Sequence, residues 1–337
     1  MKIGLIGAGR IGQLHAELLT YHIPGAEIKT AAEIYIDEVK EWAKQLNILN
    51  LTTDYSDILN DSEIEAVLIC SSTDTHAQLI IEAAKAGKHI FCEKPIDFNI
   101  EKIKQALNSV KEAGVKLQIG FNRRFDHNFK KVRELVESGK VGDVHIVKIT
   151  SRDPAPPPIE YLKVSGGIFL DMTIHDFDMA RYLSISEVEE VYTQGAVLID
   201  PAIGELGDVD TAIITLKFKN GAMGVIDNSR QAVYGYDQRV EVFGSKGYAD
   251  VKNDFPNSAK LNTAEGVISD KPHYFFLERY KMSYVEELKA FVDAVAKDKE
   301  PPVTGNDGLQ PVLIGLAALK SLNEKKPVKI EEVIKEG

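Results

Sequence analysis

Lys2-Ile-Gly-Leu-Ile-Gly7-Ala-Gly9-Arg10-Ile11-Gly12 opens the chain with an apolar run that ends in G-x-G-x-x-G. This spacing predicts a strand, a tight turn and the start of a helix. Gly7 suits the turn, Gly9 lets a backbone approach a pyrophosphate, and Gly12 lets helix and strand pack closely. A diphosphate would then rest on the N–H groups at the positive end of that helix. Glu33 closes the next apolar run, 21 residues after Gly12. A carboxylate there can accept hydrogen bonds from the adenosine ribose hydroxyls and would repel a 2′-phosphate. No arginine lies between Ala31 and Glu41 to receive one, so the expected cofactor is NAD rather than NADP.

Outward from this turn, short apolar runs recur at 28–32, 66–70, 89–92 and 117–119. Runs this short and unalternating suit a parallel sheet covered on both faces. Helical periodicity fills the gaps at 13–21, 37–45, 75–86 and 100–113, and Gly87 and Gly114 stand where the last two must stop. The fold class is therefore α/β, with an N-terminal Rossmann doubly wound sheet over residues 1–121. Residues 122–337 read differently. A long strand is expected at 144–150, four prolines between Pro154 and Pro158 exclude regular structure, and one helix is expected over 167–183. Strand-like runs follow at 188–194, 211–218, 223–229, 238–243 and 248–251, with Asn220-Gly221 as a hairpin turn. Helices at 282–296 and 308–323 close an α+β domain with a large open mixed or antiparallel sheet.

Composition removes several function classes. Lys+Arg is 40 and Asp+Glu 51, a net charge of −11, which disfavours a nucleic-acid partner. No apolar run approaches the roughly 18 residues a membrane helix needs. The apolar stretch 3–8 is too short for a secretory signal, so the cytoplasm is the expected compartment. Cys70 and Cys92 alone cannot build a disulfide scaffold or a thiolate zinc cluster. No metal site is expected.

Two further stretches carry chemistry. Glu93-Lys94-Pro95 follows an apolar run, so Lys94 should emerge at the carboxyl edge of the sheet, where ligands bind in such folds. A cis Lys94–Pro95 bond would fix its direction. Asp171-Met-Thr-Ile-His175-Asp-Phe-Asp178 places Asp171 and His175 one helical turn apart, with Asp178 on the same face. A carboxylate one turn from an imidazole can hold its tautomer and raise its basicity. The polar loop Ser71-Ser-Thr73-Asp-Thr-His76 reads both as a helix N-terminus and as a second cofactor contact.

The glycine turn with His15, the Glu93-Lys94-Pro95 triplet and Asp171-x-x-x-His175 together resemble the glucose–fructose oxidoreductase / inositol dehydrogenase (Gfo/Idh/MocA) family. Gly120-Phe-Asn-Arg-Arg-Phe-Asp126, Ser151-Arg-Asp-Pro154, Tyr234-Gly-Tyr-Asp-Gln-Arg239 and Phe275-Phe-Leu-Glu-Arg-Tyr280 are similar to stretches of its bacterial inositol 2-dehydrogenases. One departure is Glu33, where relatives usually carry Asp. The resemblance implies oxidation of myo-inositol to 2-keto-myo-inositol by hydride transfer to NAD. It implies Lys94, Asp171 and His175 as the catalytic set, with His175 as base. It implies cofactor contacts from Gly7, Gly9, Arg10, Ile11, Gly12, Glu33, Ser71, Thr73, His76, Glu93 and Lys94. Arg123, Asp153, Tyr236 and Tyr284 would join the catalytic set around a small polyol, in a homotetramer. The alternatives are a scyllo-inositol or pyranose dehydrogenase of the same family and a non-catalytic NAD-binding regulator.

Overall fold

A computed structural model describes residues 1–336. These residues form two compact units, one of Met1–Asn122 with Met282–Gln310, the other of Arg123–Lys281 with Pro311–Glu336. Residues 282–310 thus cluster with the first unit, whereas the sequence reading counted them with the second domain.

In the first unit the strands are β1 (Lys2–Ile6), β2 (Glu27–Ala32), β3 (Asn50–Thr52), β4 (Ala66–Ile69), β5 (His89–Cys92) and β6 (Leu117–Ile119). Every neighbouring pair is parallel, in the order β3-β2-β1-β4-β5-β6. Ile3, Leu5, Val67, Leu68, Ile90 and Phe91 are fully enclosed, as strands covered on both faces require. Each such side chain contributes about 1.5–3 kcal/mol by leaving water. The chain runs outward in one direction from β1 and in the other from β4, which opens a crevice beyond their carboxyl ends. The helix Ile100–Ala113 occupies its expected span, capped by the Asn99 side chain accepting the Lys102 N–H and stopped at Gly114 with φ +67°. The three-residue β3 is new.

The second unit holds β7 (Val144–Arg152), β8 (Val188–Ala196), β9 (Thr211–Phe218), β10 (Met223–Ser229), β11 (Asp237–Gly244) and β12 (Gly247–Val251). A separate hairpin follows, β13 (Lys260–Thr263) with β14 (Gly266–Ser269), and later the short β15 (Val328–Lys329). The main sheet runs β12-β11-β7-β10-β9-β8-β15 and is mixed, because β7 and β10 are parallel while their other pairings are antiparallel. The Asn220-Gly221 turn joins β9 to β10, with Gly221 at φ +89°. Along β9, Ala212, Ile214, Leu216 and Phe218 are buried while Ile213, Thr215 and Lys217 alternate outward. Ile213, Met223, Phe243 and Tyr248 leave apolar area exposed on this sheet.

The expected helix 167–183 is interrupted. It divides into Gly167–Asp171 and Ile174–Ser184. The Thr173 N–H reaches five residues back to the Ile168 carbonyl at 2.8 Å, a wider turn than an α-helix makes. The Thr173 hydroxyl donates to Asn228 Oδ1 on β10 at 2.6 Å, which ties the break to the sheet. Asp171 and His175 therefore flank a break and do not share one regular turn.

Candidate functional site

At the crevice of the first unit, Gly7 adopts φ +90°, and a Cβ there would meet the Ser71 backbone at 2.6 Å. A Cβ on Gly12 would lie 2.0 Å from the Gly7 carbonyl oxygen, so neither position tolerates a side chain. Gly9 differs: a Cβ there would meet nothing within 4 Å and would project into open space. That is the approach a pyrophosphate needs. The Glu33 carboxylate folds toward this turn, accepting the Ala8 N–H at 2.8 Å and the Tyr35 N–H at 3.2 Å. Gly7, Gly9, Glu33, Tyr55, Ser71 and Thr75 are among the residues lining a cavity of about 730 Å³. The glycine cradle, the carboxylate and the cavity fit a dinucleotide.

Not every expected contact lines this cavity. Arg10 and Ile11 begin the helix Arg10–His22, and Thr73 begins the helix Thr73–Lys85, all outside the lining. His76 is buried, its ring nitrogens 2.8 Å from the Pro95 carbonyl oxygen and 3.0 Å from that of Ser71. It pins the Ser71 loop to the stretch after Lys94, whose bond to Pro95 is cis. Thr53, Tyr55, Asp74 and Gln78 line the cavity and were missed individually. Thr53 and Tyr55 follow β3. The rule that ligands sit beyond strand carboxyl ends would have found them had that strand been legible.

Glu93 stands at the centre of a polar knot. Its Oε1 lies 2.7 Å from His15 Nε2, and its Oε2 accepts the Lys94 backbone N–H at 3.3 Å. Tyr284 lies in this first unit, its ring edge-on to His15 at 5.6 Å between centroids. Lys94 is in the same unit.

Asp171 and His175 belong to the second unit. The Tyr161 hydroxyl donates to Asp171 Oδ1 at 2.8 Å, and Arg230 Nη1 reaches Asp171 Oδ2 at 3.4 Å. Asp208 accepts the Ile168 N–H with both oxygens at 3.1 Å and so holds the start of the helix that delivers Asp171. Arg230 and Asp208 carried no sequence signal, since each acts through a neighbour brought close only by folding. Arg123 is enclosed and donates to Asp176 Oδ1 at 2.6 Å and to the Tyr236 hydroxyl at 3.3 Å. Its guanidinium therefore orients Tyr236. Burial, above all, raises the Tyr236 phenol well above its ordinary value. Asp178 forms a two-point pair with Arg124, at 2.8 and 2.6 Å.

Withdrawal from water pushes the Asp153 carboxyl up to about 7, the Arg230 charge opposing it and the Asp171 charge adding to it. A carboxyl raised on folding gives stability that is complete below its unfolded value and is lost as pH climbs through the folded one. The Asp153→Asn variant should therefore gain on the natural chain between pH 3.8 and about 7, then hold a constant advantage. Urea midpoints across that range check this, and a midpoint difference independent of pH would refute it.

Comparison with known proteins agrees with both units. Residues 1–121 match the model of an oxidoreductase family with an NAD-binding Rossmann fold, and residues 129–250 match the GFO/IDH/MocA C-terminal domain. An uncharacterized oxidoreductase of Bacillus subtilis is 56% identical over 332 residues, 98% of this chain and 97% of that protein. The myo-inositol 2-dehydrogenase of Thermotoga maritima is 52% identical over 334 residues, 99% of this chain and 100% of that protein. The crystal structure of a Lactobacillus casei scyllo-inositol dehydrogenase with bound NAD(H) and scyllo-inositol superposes with a TM-score of 0.92 at 30% identity, covering 98% of this chain and 99% of that one. The glycine cradle, its carboxylate and the mixed-sheet unit behind Asp171 and His175 are thus those of a lineage of NAD-dependent oxidoreductases, and the chain belongs to the GFO/IDH/MocA oxidoreductase family.

Proposed function

We propose that this chain is an inositol 2-dehydrogenase, oxidising the secondary hydroxyl at C2 of myo-inositol to a ketone. The end-to-end likeness to the Thermotoga myo-inositol 2-dehydrogenase, with Lys94, Asp171 and His175 all present, carries this reading. The nicotinamide of bound NAD would accept the hydride. His175 takes the hydroxyl proton, the task of a base near neutral pKa. Asp171, steadied by Tyr161 and Arg230, orients the imidazole or the substrate hydroxyl. Lys94 stabilises the developing alkoxide. Glu33 receives the adenosine ribose, while Ser71 and Thr75 line the dinucleotide cavity. From the second unit, Asp153 and Tyr236, with Arg123 behind Tyr236, supply polar partners to the ring hydroxyls, and the family resemblance assigns the same role to Tyr284 of the first unit. A wrong epimer would leave some of these buried groups unpaired, which is how such a pocket discriminates.

The test is NADH formation with myo-inositol, scyllo-inositol and glucose, each offered NAD and NADP. The expected result is turnover of myo-inositol with NAD, and little with NADP because Glu33 repels the extra phosphate. The bound scyllo-inositol of the Lactobacillus casei structure favours scyllo-inositol as the second reading. Both isomers yield the same ketone, so the isomer consumed distinguishes them. Silence with every polyol would favour a non-catalytic NAD-binding regulator.

Among the described residues no helix is long and apolar enough to cross a membrane. A cytoplasmic setting is part of this proposal. The apolar residues left exposed on the main sheet support self-association, as a homotetramer. Sedimentation at micromolar concentration is expected to give four times the 37.3 kDa chain mass, and a monomer would refute it.

A further inference from the structure

The geometry points to Glu287 as a buried neutral acid that holds Glu93, and through it Lys94, in place. Glu287 lies on the helix Lys281–Ala296 and is completely enclosed. Both its carboxylate oxygens are buried with no hydrogen-bond partner among the described residues. It offers an oxygen within 4.8 Å of both the Glu93 carboxylate and the His15 imidazole. Buried polar atoms are nearly always satisfied, so an unpartnered carboxyl aimed into a polar knot needs an explanation.

Glu93 is already committed, accepting from His15 on one oxygen and from the Lys94 backbone N–H on the other. It is the member that carries the charge. A second ionised carboxylate at this depth would face it across the same few ångströms, and two like charges sharing a site cannot both ionise. Glu287 therefore keeps its proton, with the Glu93 carboxylate an acceptor within 4.8 Å of it. Burial first, and the Glu93 charge second, raise the Glu287 carboxyl well above its ordinary value. The groups facing it are His15 from the helix Arg10–His22, Glu93 beyond β5, Cys70 beyond β4 and Tyr284 on its own helix. From β6, the Gln118 side chain donates to the Glu287 backbone carbonyl at 2.8 Å. A divalent cation is the less economical occupant. His15 Nε2 and Glu93 Oε1 are already joined at 2.7 Å, and Phe91 and Tyr284 wall the imidazole edge-on.

This inference rests on the reading of Lys94 as the residue that faces the reacting oxygen. Glu287 touches no substrate and is a positioning residue. Its replacement by glutamine keeps a neutral donor of the same shape. The Glu287→Gln variant is expected to retain kcat within about twofold. Its melting temperature should gain on the natural chain as pH rises from about 5 to about 8. The sign follows from the raised carboxyl: its stability is complete below the unfolded value of 4.5 and is lost as pH rises, a loss glutamine does not share. A gap that stays flat with pH would overturn the proposal. So would a stoichiometric divalent metal in the natural protein that is missing from Glu287→Gln, measured by elemental analysis. Glu287→Leu should lower kcat about 10- to 100-fold with little change in the KM for NAD, since a misplaced reacting group costs rate rather than cofactor affinity. A folded Glu287→Leu protein with unchanged kcat, or with only its NAD KM raised, would refute the positioning role; if that variant does not fold, Glu287→Gln decides. Should the natural chain turn over no polyol, the reading of Lys94 fails, while the melting series still decides whether Glu287 holds a proton.

Discussion

Replacing His175 by alanine is expected to lower kcat/KM for the polyol at least ~100-fold, the lower end of what a positioned acid–base group contributes. Alcohol oxidation must lose a hydroxyl proton as the hydride departs, and without the imidazole that proton leaves only to water. The loss should appear in kcat, with the KM for NAD little changed, because the glycine turn and Glu33 belong to the other unit. His175 is the second residue of the helix Ile174–Ser184, with its backbone N–H on the Met172 carbonyl at 3.3 Å, so alanine there preserves the backbone. Steady-state rates together with an unchanged melting curve check the prediction. A variant with near-natural turnover would remove His175 from the mechanism, and Lys94 or a bound water would have to take the proton.

The largest effect on stability is expected at Asp176. Its carboxylate is fully enclosed and meets the Arg123 guanidinium at 2.6 Å, while its second oxygen accepts the Asn228 side-chain N–H at 2.9 Å. Burial raises the Asp176 carboxyl, and Arg123 opposes that shift. Asp176→Leu would strand a buried guanidinium and lower the unfolding free energy by about 3–5 kcal/mol. Removing both partners, in the Arg123→Leu/Asp176→Leu double variant, should recover much of that loss, because no uncompensated charge then remains. Urea midpoints for the two single variants and the double variant close the cycle. Losses that simply add, with the double variant falling by the sum of the two single losses, would show that the pair itself contributes nothing.

The parallel sheet was legible because its strands are buried on both faces and therefore read as plain apolar runs. The spans 89–92 and 117–119 coincide with β5 and β6 for this reason. β9 and β10 were legible by alternation, their turn marked by Asn220-Gly221. β3 was not: at three residues it carries too little pattern, and its pairing with β2 makes it a strand. The helix His127–Glu137 was overlooked although Asp126 caps it, accepting the N–H groups of Asn128 and Phe129. The interruption at Met172–Thr173 had no local signal, and the contact that ties it to the sheet, the Thr173 hydroxyl on Asn228, spans 55 residues.

The same division holds for the site. The order of glycines and the carboxylate Glu33 were set by the linear order of residues, because a phosphate-binding turn needs its parts at fixed spacing along one stretch, whereas Lys94, Asp171 and His175 stood out as a proposed set through their resemblance to family motifs. The surroundings of those groups came only with folding. Which acid Arg123 meets, what steadies Asp171, and why Glu287 lies beside Glu93 depend on residues tens to hundreds of positions apart. Steric rules for a turn act over a few bonds and leave a mark in sequence. Charge pairing and burial act through space, where the chain's neighbours are chosen by packing rather than by position.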